Sequence, residues 1–372
     1  MNILIIGGLN EPASKFHYSD FKTLQLALGF VSMGHIVVMP TESDHHNDPQ
    51  IMKIPFHNIK VYDYHLVIFT RENYIRTLYD SYQLVRDLCS GKLERDQGFP
   101  IICARYGRHL WYKNIYETLE EFYNAFDYHF PQEYNFCKRM VMDLGEISDY
   151  GKIWPSSMAC PENIDFSPVP PFNKQNKTLI YIGRLRQVPP RYQFIIEFMK
   201  RLGNKYHLLI LPGSFNKNED STKCYPKENK EWLVKMFSTS SNIDVLDPVP
   251  WGDHWNYLYH ADYGLDFSPM LNSKGQIGGN AKLVEYMRAG LPSITEPSVS
   301  NSELLGLCRG GIVTRTSHNI DDYVYAFQNM EYIQWDRKNI ARIMMETNNW
   351  RVRASEMISH IGKTSDLNLG IY

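Results

Sequence analysis

The sequence lacks the marks of several classes of protein. Its six cysteines, at positions 89, 103, 137, 160, 224 and 308, include no CxxC pair. This spacing argues against a zinc knuckle or a disulfide framework, so we interpret the cysteines as free thiols. No apolar run approaches the ~20 residues that a transmembrane helix needs. The chain also has no excess of positive charge, because its formal net charge is −2.

These absences narrow the range of functions. A near-neutral chain offers no overall attraction to a polyanion such as nucleic acid, so any anion must be held by local basic clusters. The amino-terminal stretch 1–8 has no basic lead before its four consecutive apolar residues, and it is typical of a buried strand rather than a signal peptide. The sequence therefore predicts a soluble, cytoplasmic protein.

The sequence also gives little sign of a metal site. The run Asp44-His45-His46-Asn47-Asp48 contains metal-ligating residue types. Adjacent histidines seldom converge on one ion, however, and a polar run of this kind is typical of a loop. We therefore expect no metal and no resident cofactor.

What the sequence does contain is an alternation of apolar strands and helical stretches that occurs twice. A chain of 372 residues is long enough for two α/β domains. A proline-rich stretch, 153–174, separates the two alternations. The predicted strands lie near residues 2–8, 35–40, 64–70, 100–105 and 128–131, and then near 178–183, 207–212, 243–246, 263–267, 292–295 and 311–313.

This pattern predicts two doubly wound, Rossmann-like domains. We place the first domain at residues 1–160 and the second at residues 161–345. A closing helical segment, 346–372, is expected to pack back on the first domain. Sheets of this kind bind ligands at the carboxyl ends of their strands, in a cleft where the two domains face one another.

The strongest local signal lies between residues 278 and 292. Gly278 and Gly279 form a glycine-rich loop, Asn280 is a favourable N-cap, and Gly290 ends the short helix that follows. The unpaired backbone N–H groups at such a helix start, together with the positive end of the helix dipole, bind phosphate. The stretch therefore predicts a phosphate site.

Two side chains in this helix extend the prediction. Lys282 adds a full positive charge in the first turn, and Glu285 lies one turn further on the same face. A carboxylate one turn from a diphosphate is well placed to accept hydrogen bonds from ribose hydroxyls. The alternative is a surface ion pair between the two residues.

At these residues the chain resembles the glycosyltransferase group 1 family (family 4), which has the GT-B fold of two Rossmann-like domains facing a central cleft. The resemblance is carried by Lys282-Leu-Val-Glu285-Tyr-Met-Arg-Ala-Gly-Leu-Pro292. The stretch 179–185 is similar to the strand-Gly-Arg-Leu that opens the family's second domain. The stretches 258–263 and 163–167 resemble two further family motifs, so the similarity extends over about residues 163–314.

The resemblance implies roles for individual residues. Glu285 is expected to bind the donor ribose, and Arg184 is expected to bind the donor diphosphate. A lysine that usually follows this arginine is absent, and Arg186 or Arg191 would replace it because arginine binds phosphate bidentately. The family also has a glutamate eight positions before the ribose-binding one, and this chain has Ile277 there. The acidic contact to the sugar is therefore missing from its usual position.

The first domain is expected to contribute to the same site. Gly7 and Gly8 follow the first strand and let backbone N–H groups approach a sugar or phosphate, although a simple strand-to-helix turn is the alternative. This loop lacks GxGxxG spacing, which argues against a nicotinamide enzyme. The strand ending at Arg105 resembles a family strand that leads to a donor-contacting histidine. Tyr106 occupies that histidine's position, and either Arg105 or His109 would reach the cleft instead. The alternative is a structural role for Tyr106 and His109.

Together these features predict an enzyme that transfers a hexose-like sugar from a UDP- or GDP-sugar to a hydroxyl group of a glycan or small molecule. Arg184, Lys282 and His109 are the predicted catalytic residues. The arginine and lysine would neutralise the diphosphate as it leaves, without a metal.

Two alternatives remain open. One is a viral-type DNA-modifying glucosyltransferase of the same fold, in which Arg105, Arg108 and Lys113 would meet the phosphate backbone. The near-neutral net charge counts against it. The other is a non-catalytic relative that binds nucleotide sugars but has lost the acidic motif.

Overall fold

The computed structural model describes residues 1–7, 18–40, 48–70, 78–90, 98–106, 115–132, 134–156, 158–174, 176–183, 191–212, 230–247, 249, 252–267 and 281–364. The chain forms two compact units. The first unit combines Met1–Pro161 with Asn348–Tyr372, and the second is Glu162–Thr347.

The first unit contains a six-stranded parallel sheet. Its strands are β1 Asn2–Ile6, β2 Ile36–Pro40, β3 Met52–Ile54, β4 Leu66–Thr70, β5 Ile101–Tyr106 and β6 Tyr128–Pro131. Their order across the sheet is β3-β2-β1-β4-β5-β6. The five strands predicted for this half are present. The additional strand, β3, is only three residues long and is half-exposed, so it leaves no apolar run in the sequence.

The second unit contains another six-stranded parallel sheet. Its strands are β7 Lys177–Ile182, β8 Tyr206–Leu211, β9 Ile243–Val245, β10 Tyr263–Leu265, β11 Ser293–Thr295 and β12 Gly311–Val313. Their order is β12-β11-β10-β7-β8-β9. When strands are numbered within each unit, both sheets have the order 3-2-1-4-5-6, which is typical of dinucleotide-binding folds. The predicted α/β class with two doubly wound domains is therefore confirmed.

Helices cover the sheets. The described α-helices are α1 Tyr18–Ser32, α2 Gln83–Ser90, α3 Leu119–Ala125, α4 Tyr134–Leu144, α5 Arg191–Leu202, α6 Lys230–Phe237, α7 His254–His260, α8 Ala281–Arg288, α9 Val299–Cys308, α10 Ile320–Glu331, α11 Arg337–Thr347 and α12 Trp350–Thr364. None of these described helices is long and apolar enough to cross a membrane.

The first sheet has a hydrophobic core on each face. Successive side chains of a strand point to opposite faces, so β1 contributes Leu4 and Ile6 to one core and Ile3 and Ile5 to the other. The second of these cores also contains α1 and α12. A Cβ atom on Gly29 of α1 would lie 2.6 Å from a carbonyl oxygen of α12, so glycine permits the close approach of these two helices.

The proline-rich stretch is less open than a flexible linker. Ile153 forms an isolated bridge with His129, and Met158, Ala159 and Cys160 are buried. Residues 153–156 and 158–160 therefore belong to the packed body of the first unit.

The next residues pack on the second unit. Phe166 stacks on Tyr259 of α7, with ring centroids 4.5 Å apart, and His260 Nε2 lies 2.7 Å from the carbonyl oxygen of Ser167. These contacts attach the stretch to α7.

Candidate functional site

The candidate site lies where β7, β10 and β11 of the second unit end. Strands β7 and β10 are neighbours in the sheet, and the strand order reverses between them. In open α/β sheets, ligands bind outside the carboxyl ends of the strands at this reversal. Gly183 directly follows β7, Asp266 directly follows β10, and α8 packs beside them.

Helix α8 is anchored to the sheet by its tyrosine. The Tyr286 hydroxyl accepts a hydrogen bond from Ile182 N at 3.1 Å and donates to Leu265 O at 3.0 Å. Burial raises the pKa of this hydroxyl well above its usual value, so it keeps its proton. A Cβ atom on Gly264 would lie 2.7 Å from the Tyr286 ring, so this glycine makes room for the ring. Sequence analysis missed this anchor, whose signal is a glycine inside a buried strand.

Helix α8 ends as the sequence predicts. Gly290 has φ +66° and its N–H bonds to Met287 O at 3.0 Å, while Leu291 N bonds to Tyr286 O at 2.8 Å. These two bonds form a Schellman cap, which satisfies carbonyl groups that the helix itself leaves unpaired.

Lys282 in the first turn of α8 points to the ends of β7 and β10. Its Nζ lies 3.4 Å from Asp266 Oδ1 and 5.4 Å from the centroid of the Tyr181 ring. A Cβ atom on Gly183 would lie 3.5 Å from Lys282 Cε, so the stem of the lysine passes over this glycine. The structure thus brings Lys282 to the residue that precedes Arg184 in the chain.

Glu285, one turn further along α8, is buried. It is only 7% exposed, which rules out a solvent-exposed ion pair between Lys282 and Glu285. Its Oε2 lies 3.9 Å from Nε2 of His254, a distance too long for a hydrogen bond. Burial lowers the pKa of His254 to about 3, so the imidazole is neutral at pH 7 and the contact is not an ion pair. His254 is thus a packed residue.

A network of buried polar side chains lies on the protein side of the site. Asp266 is fully buried, and its Oδ2 accepts a hydrogen bond from Thr295 Oγ1 at 2.9 Å. Thr295 Oγ1 in turn accepts one from Asn301 Nδ2 at 2.9 Å, and the Tyr323 hydroxyl donates to Asp266 O at 2.6 Å. Sequence analysis did not identify Asp266. Its signal is an acidic residue directly after a buried strand.

In the first unit, the structure explains Gly7 by packing. Its φ is +130°, and a Cβ atom there would lie 1.9 Å from Thr70 O. The Thr70 hydroxyl also donates to Gly7 O at 3.1 Å. The ends of β1 and β4 therefore require a glycine at this position, whether or not a ligand binds.

Arg105 and Tyr106, at the end of β5, are both core residues. Arg105 is 2% exposed, its Nε donates to Ser156 Oγ at 3.0 Å, and its guanidinium carbon lies 5.1 Å from the centroid of the Trp350 ring. The expectation that Arg105 would reach a cleft or a DNA phosphate is therefore wrong, because the side chain is enclosed. Tyr106 is buried as well, and its hydroxyl contacts Met140 Sδ at 2.9 Å.

The other residues predicted for the site lie outside the described residues. They are Gly8, Arg108, His109, Lys113, Arg184, Arg186, Gly278, Gly279 and Asn280. Cys224 also lies outside them, and the five described cysteines are buried and lie outside any disulfide.

Solved structures similar to this chain identify the architecture. The match to sucrose-phosphate synthase from Thermosynechococcus elongatus covers 97% of this chain and 98% of the synthase chain, with a TM-score of 0.64 and 13% sequence identity. The match to Anabaena HepE in complex with UDP and glucose covers 98% of this chain and 100% of the HepE chain, with a TM-score of 0.62 and 9% sequence identity. The fold is GT-B.

The GT-B fold alone does not decide the reaction. The match to a putative UDP-N-acetylglucosamine 2-epimerase from Listeria monocytogenes also covers 97% of this chain and 96% of the epimerase chain, with a TM-score of 0.55 and 10% sequence identity. No protein-family model matches the sequence, and no curated protein is significantly similar to it in sequence. The function must therefore be argued from the site.

Proposed function

We propose that this protein is a glycosyltransferase that moves a hexose-like sugar from a UDP- or GDP-sugar to a hydroxyl group of a glycan or small molecule in the cytoplasm. The observation that carries the proposal is the position of Lys282. Its ammonium lies at the carboxyl ends of β7 and β10, beside the residue that precedes Arg184.

In this proposal the second unit binds the donor. Lys282, Arg184 and Arg186 neutralise the diphosphate, and backbone N–H groups near Gly278, Gly279 and Asn280 add hydrogen bonds. Fixed cations then stabilise the negative charge that develops as the glycosidic bond breaks, so no metal is needed. The complex of HepE with UDP and glucose, on a chain of similar fold, supports UDP as the nucleotide.

Glu285 is the proposed ribose-binding residue of the second unit. The buried carboxylate of Glu285 lies one turn from Lys282 and would accept hydrogen bonds from the ribose hydroxyls. Gly7 and Gly8 are further residues proposed to bind the donor, and His109 is a proposed catalytic residue.

The first experiment measures the binding of UDP, GDP, ADP, dTDP and inorganic pyrophosphate by calorimetry. We expect Lys282→Met to weaken both UDP and pyrophosphate by ~1.5 to 3 kcal/mol, the value of a hydrogen bond to a charged group. Arg184→Ala should act in the same way. Glu285→Gln should weaken UDP but leave pyrophosphate unchanged, because only the ribose contact is altered.

A control on the same strand makes this comparison specific. Lys177 lies at the other end of β7, is half-exposed and pairs with Glu331. Lys177→Met removes the same charge from the same unit and should leave both affinities unchanged. A wild-type protein that binds none of these diphosphates would refute the proposal. Binding without turnover of any UDP- or GDP-sugar, in EDTA or with Mn²⁺, would instead favour the non-catalytic alternative.

A further inference from the structure

We infer that Asp266 is a positioning residue of the donor site, which holds the ammonium of Lys282 in the place where it meets the donor diphosphate. This inference rests on the proposed function, because it assigns Asp266 a role through Lys282. Asp266 itself would not touch the donor.

The burial of the two residues places Asp266 beneath Lys282. The Asp266 side chain is 0% exposed, whereas the Lys282 side chain keeps 19% of its surface in contact with solvent. The carboxylate therefore lies on the protein side of the ammonium. An ammonium group has three N–H donors, and the bond to Asp266 uses one of them.

The two oxygens of Asp266 have different partners, and this fixes the orientation of the carboxylate. Oδ1 faces Lys282 at 3.4 Å, and Oδ2 accepts from the Thr295 hydroxyl at 2.9 Å. Thr295 is itself held by Asn301, and the backbone oxygen of Asp266 is held by the Tyr323 hydroxyl. The carboxylate is thus built into the ends of β10 and β11.

The lysine is also confined from a second side. The ring of Tyr181, on β7, lies 5.4 Å from Nζ, within the range of a cation–π contact. Lysine has a flexible stem that loses conformational freedom when it is held in one place. Asp266 and Tyr181 impose this restriction before the donor arrives, and such preorganisation raises affinity.

Two other roles for Asp266 lead to different results. A carboxylate that merely competes with phosphate for Lys282 would weaken diphosphate binding, so its removal would strengthen it. A carboxylate that only supports the fold would affect every ligand alike. If Asp266 positions Lys282, loss of Asp266 weakens the binding of diphosphates but not of other ligands. This loss occurs only while Lys282 is present.

The test is a double-mutant cycle of Asp266→Asn and Lys282→Met, with UDP, pyrophosphate and uridine as ligands. Asparagine has the shape of aspartate and still offers an oxygen to Thr295, but it removes the charge. We expect Asp266→Asn to weaken UDP and pyrophosphate about tenfold, the effect of one lost charge-assisted hydrogen bond. Uridine, which has no phosphate, should bind to Asp266→Asn with the same affinity as to the wild-type protein.

In the Lys282→Met background, Asp266→Asn should cause no further loss of affinity for UDP or pyrophosphate. If Asp266→Asn alone does not fold, the double variant remains usable, because losing both partners of a buried pair is less damaging than losing one. Its comparison with Lys282→Met still tests the inference, because a further loss of diphosphate affinity would show that Asp266 acts without Lys282. The matched control is Asp244→Asn, an exposed aspartate of the same sheet that pairs with His207.

Unchanged or tighter binding of pyrophosphate by Asp266→Asn would overturn the inference. So would an equal loss of uridine affinity, or a loss that persists in the Lys282→Met background. In each case the wild-type protein would still bind UDP, so the proposed function would stand. A wild-type protein that binds neither UDP nor pyrophosphate would instead refute both.

Discussion

His129 is enclosed by aromatic rings in the first unit. Its Nε2 lies 3.1 Å from Tyr123 O, its ring stacks on Tyr123 with centroids 5.4 Å apart, and Phe122 and Phe126 contact it edge-on. Burial lowers the pKa of His129 to about 3, as it does for His254 in the second unit. The native protein therefore keeps both imidazoles neutral well below pH 6.

This burial makes stability depend on pH. Below pH ~6.5 an unfolded histidine binds a proton, whereas the native His129 does not do so until about pH 3. Its stabilising contribution is thus complete above pH ~6.5 and is lost as the pH falls towards 3, by at most ~1.4 kcal/mol per pH unit. We predict that His129→Phe reduces the loss of unfolding free energy between pH 7 and pH 5 by up to ~2 kcal/mol.

Urea unfolding of both proteins at the two pH values measures this difference. The fluorescence of the tryptophans or the circular dichroism of the helices can follow the transition. An identical pH-dependent loss in wild type and His129→Phe would show that protonation of His129 does not drive the loss.

The sequence predicts some of these residues much better than others. Lys282 and Glu285 stand in a local pattern, so their one-turn separation and their position on a helix follow from residues 278–292 alone. Asp266 reaches Lys282 only because β10 lies beside β7, and no local spacing shows that pairing. Arg105 lies at the end of a strand, close to where a phosphate-binding arginine is expected, but its burial depends on Ser156 and Trp350, which are far away in the sequence.

Helices α7 and α8 share one arginine at their carboxyl ends. The guanidinium of Arg337, on α11, donates to Tyr259 O at 2.8 Å, Ala261 O at 2.9 Å and Gly290 O at 2.9 Å. The carbonyls of Tyr259 and Ala261 belong to the groups that α7 leaves unpaired at its end, and Gly290 caps α8. A cation at these helix ends also complements the helix dipole. Desolvation lowers the pKa of Arg337 from its usual value, but arginine remains charged. The same interaction therefore fixes the helix of His254 and the helix of Glu285.

We predict that Arg337→Lys lowers the unfolding free energy by ~2 to 4 kcal/mol, because an ammonium cannot reproduce three diverging bonds to carbonyl oxygens. Urea unfolding at pH 7 measures the change. Arg342→Lys is the matched control, since Arg342 lies on the same helix but is exposed and pairs with Glu346. Equal effects of the two substitutions would mean that the contacts of Arg337 add nothing beyond a surface charge.

Strands and helices were predictable where their pattern is local. The strand positions follow from short apolar runs bounded by turn residues, and the end of α8 follows from Gly290, whose positive φ a glycine adopts without strain. β3 was not predicted, since it is held by pairing with β2 rather than by an apolar run of its own.

The last described helix of the chain is part of the first unit. Helix α12 packs on α1 and buries the side chains of Trp350, Ala354, Met357, Ile358 and Ile361. Each large apolar side chain buried in this way contributes ~1.5 to 3 kcal/mol. The total is comparable with the ~5 to 15 kcal/mol by which a domain is usually stable.

We predict that a chain ending at Thr347 has an unfolded or severely destabilised first unit, while a chain ending at Thr364 remains folded. Hydrogen exchange followed by mass spectrometry can assign the loss of protection to residues 1–161 or to residues 162–347. Retained protection in residues 1–161 of the shorter chain would show that α12 is dispensable for this unit.

The shared strand order 3-2-1-4-5-6 makes each unit an internal reference for the other. Gly7 and Gly183 each follow the first strand of their sheet, and both have a positive φ. A Cβ atom would be 1.9 Å from Thr70 O at Gly7, whereas at Gly183 the nearest atom of the described residues is 3.5 Å away, on Lys282. Alanine substitutions at the two positions would therefore separate the cost of an unfavourable backbone angle from the cost of a steric clash, within one polypeptide and under identical conditions.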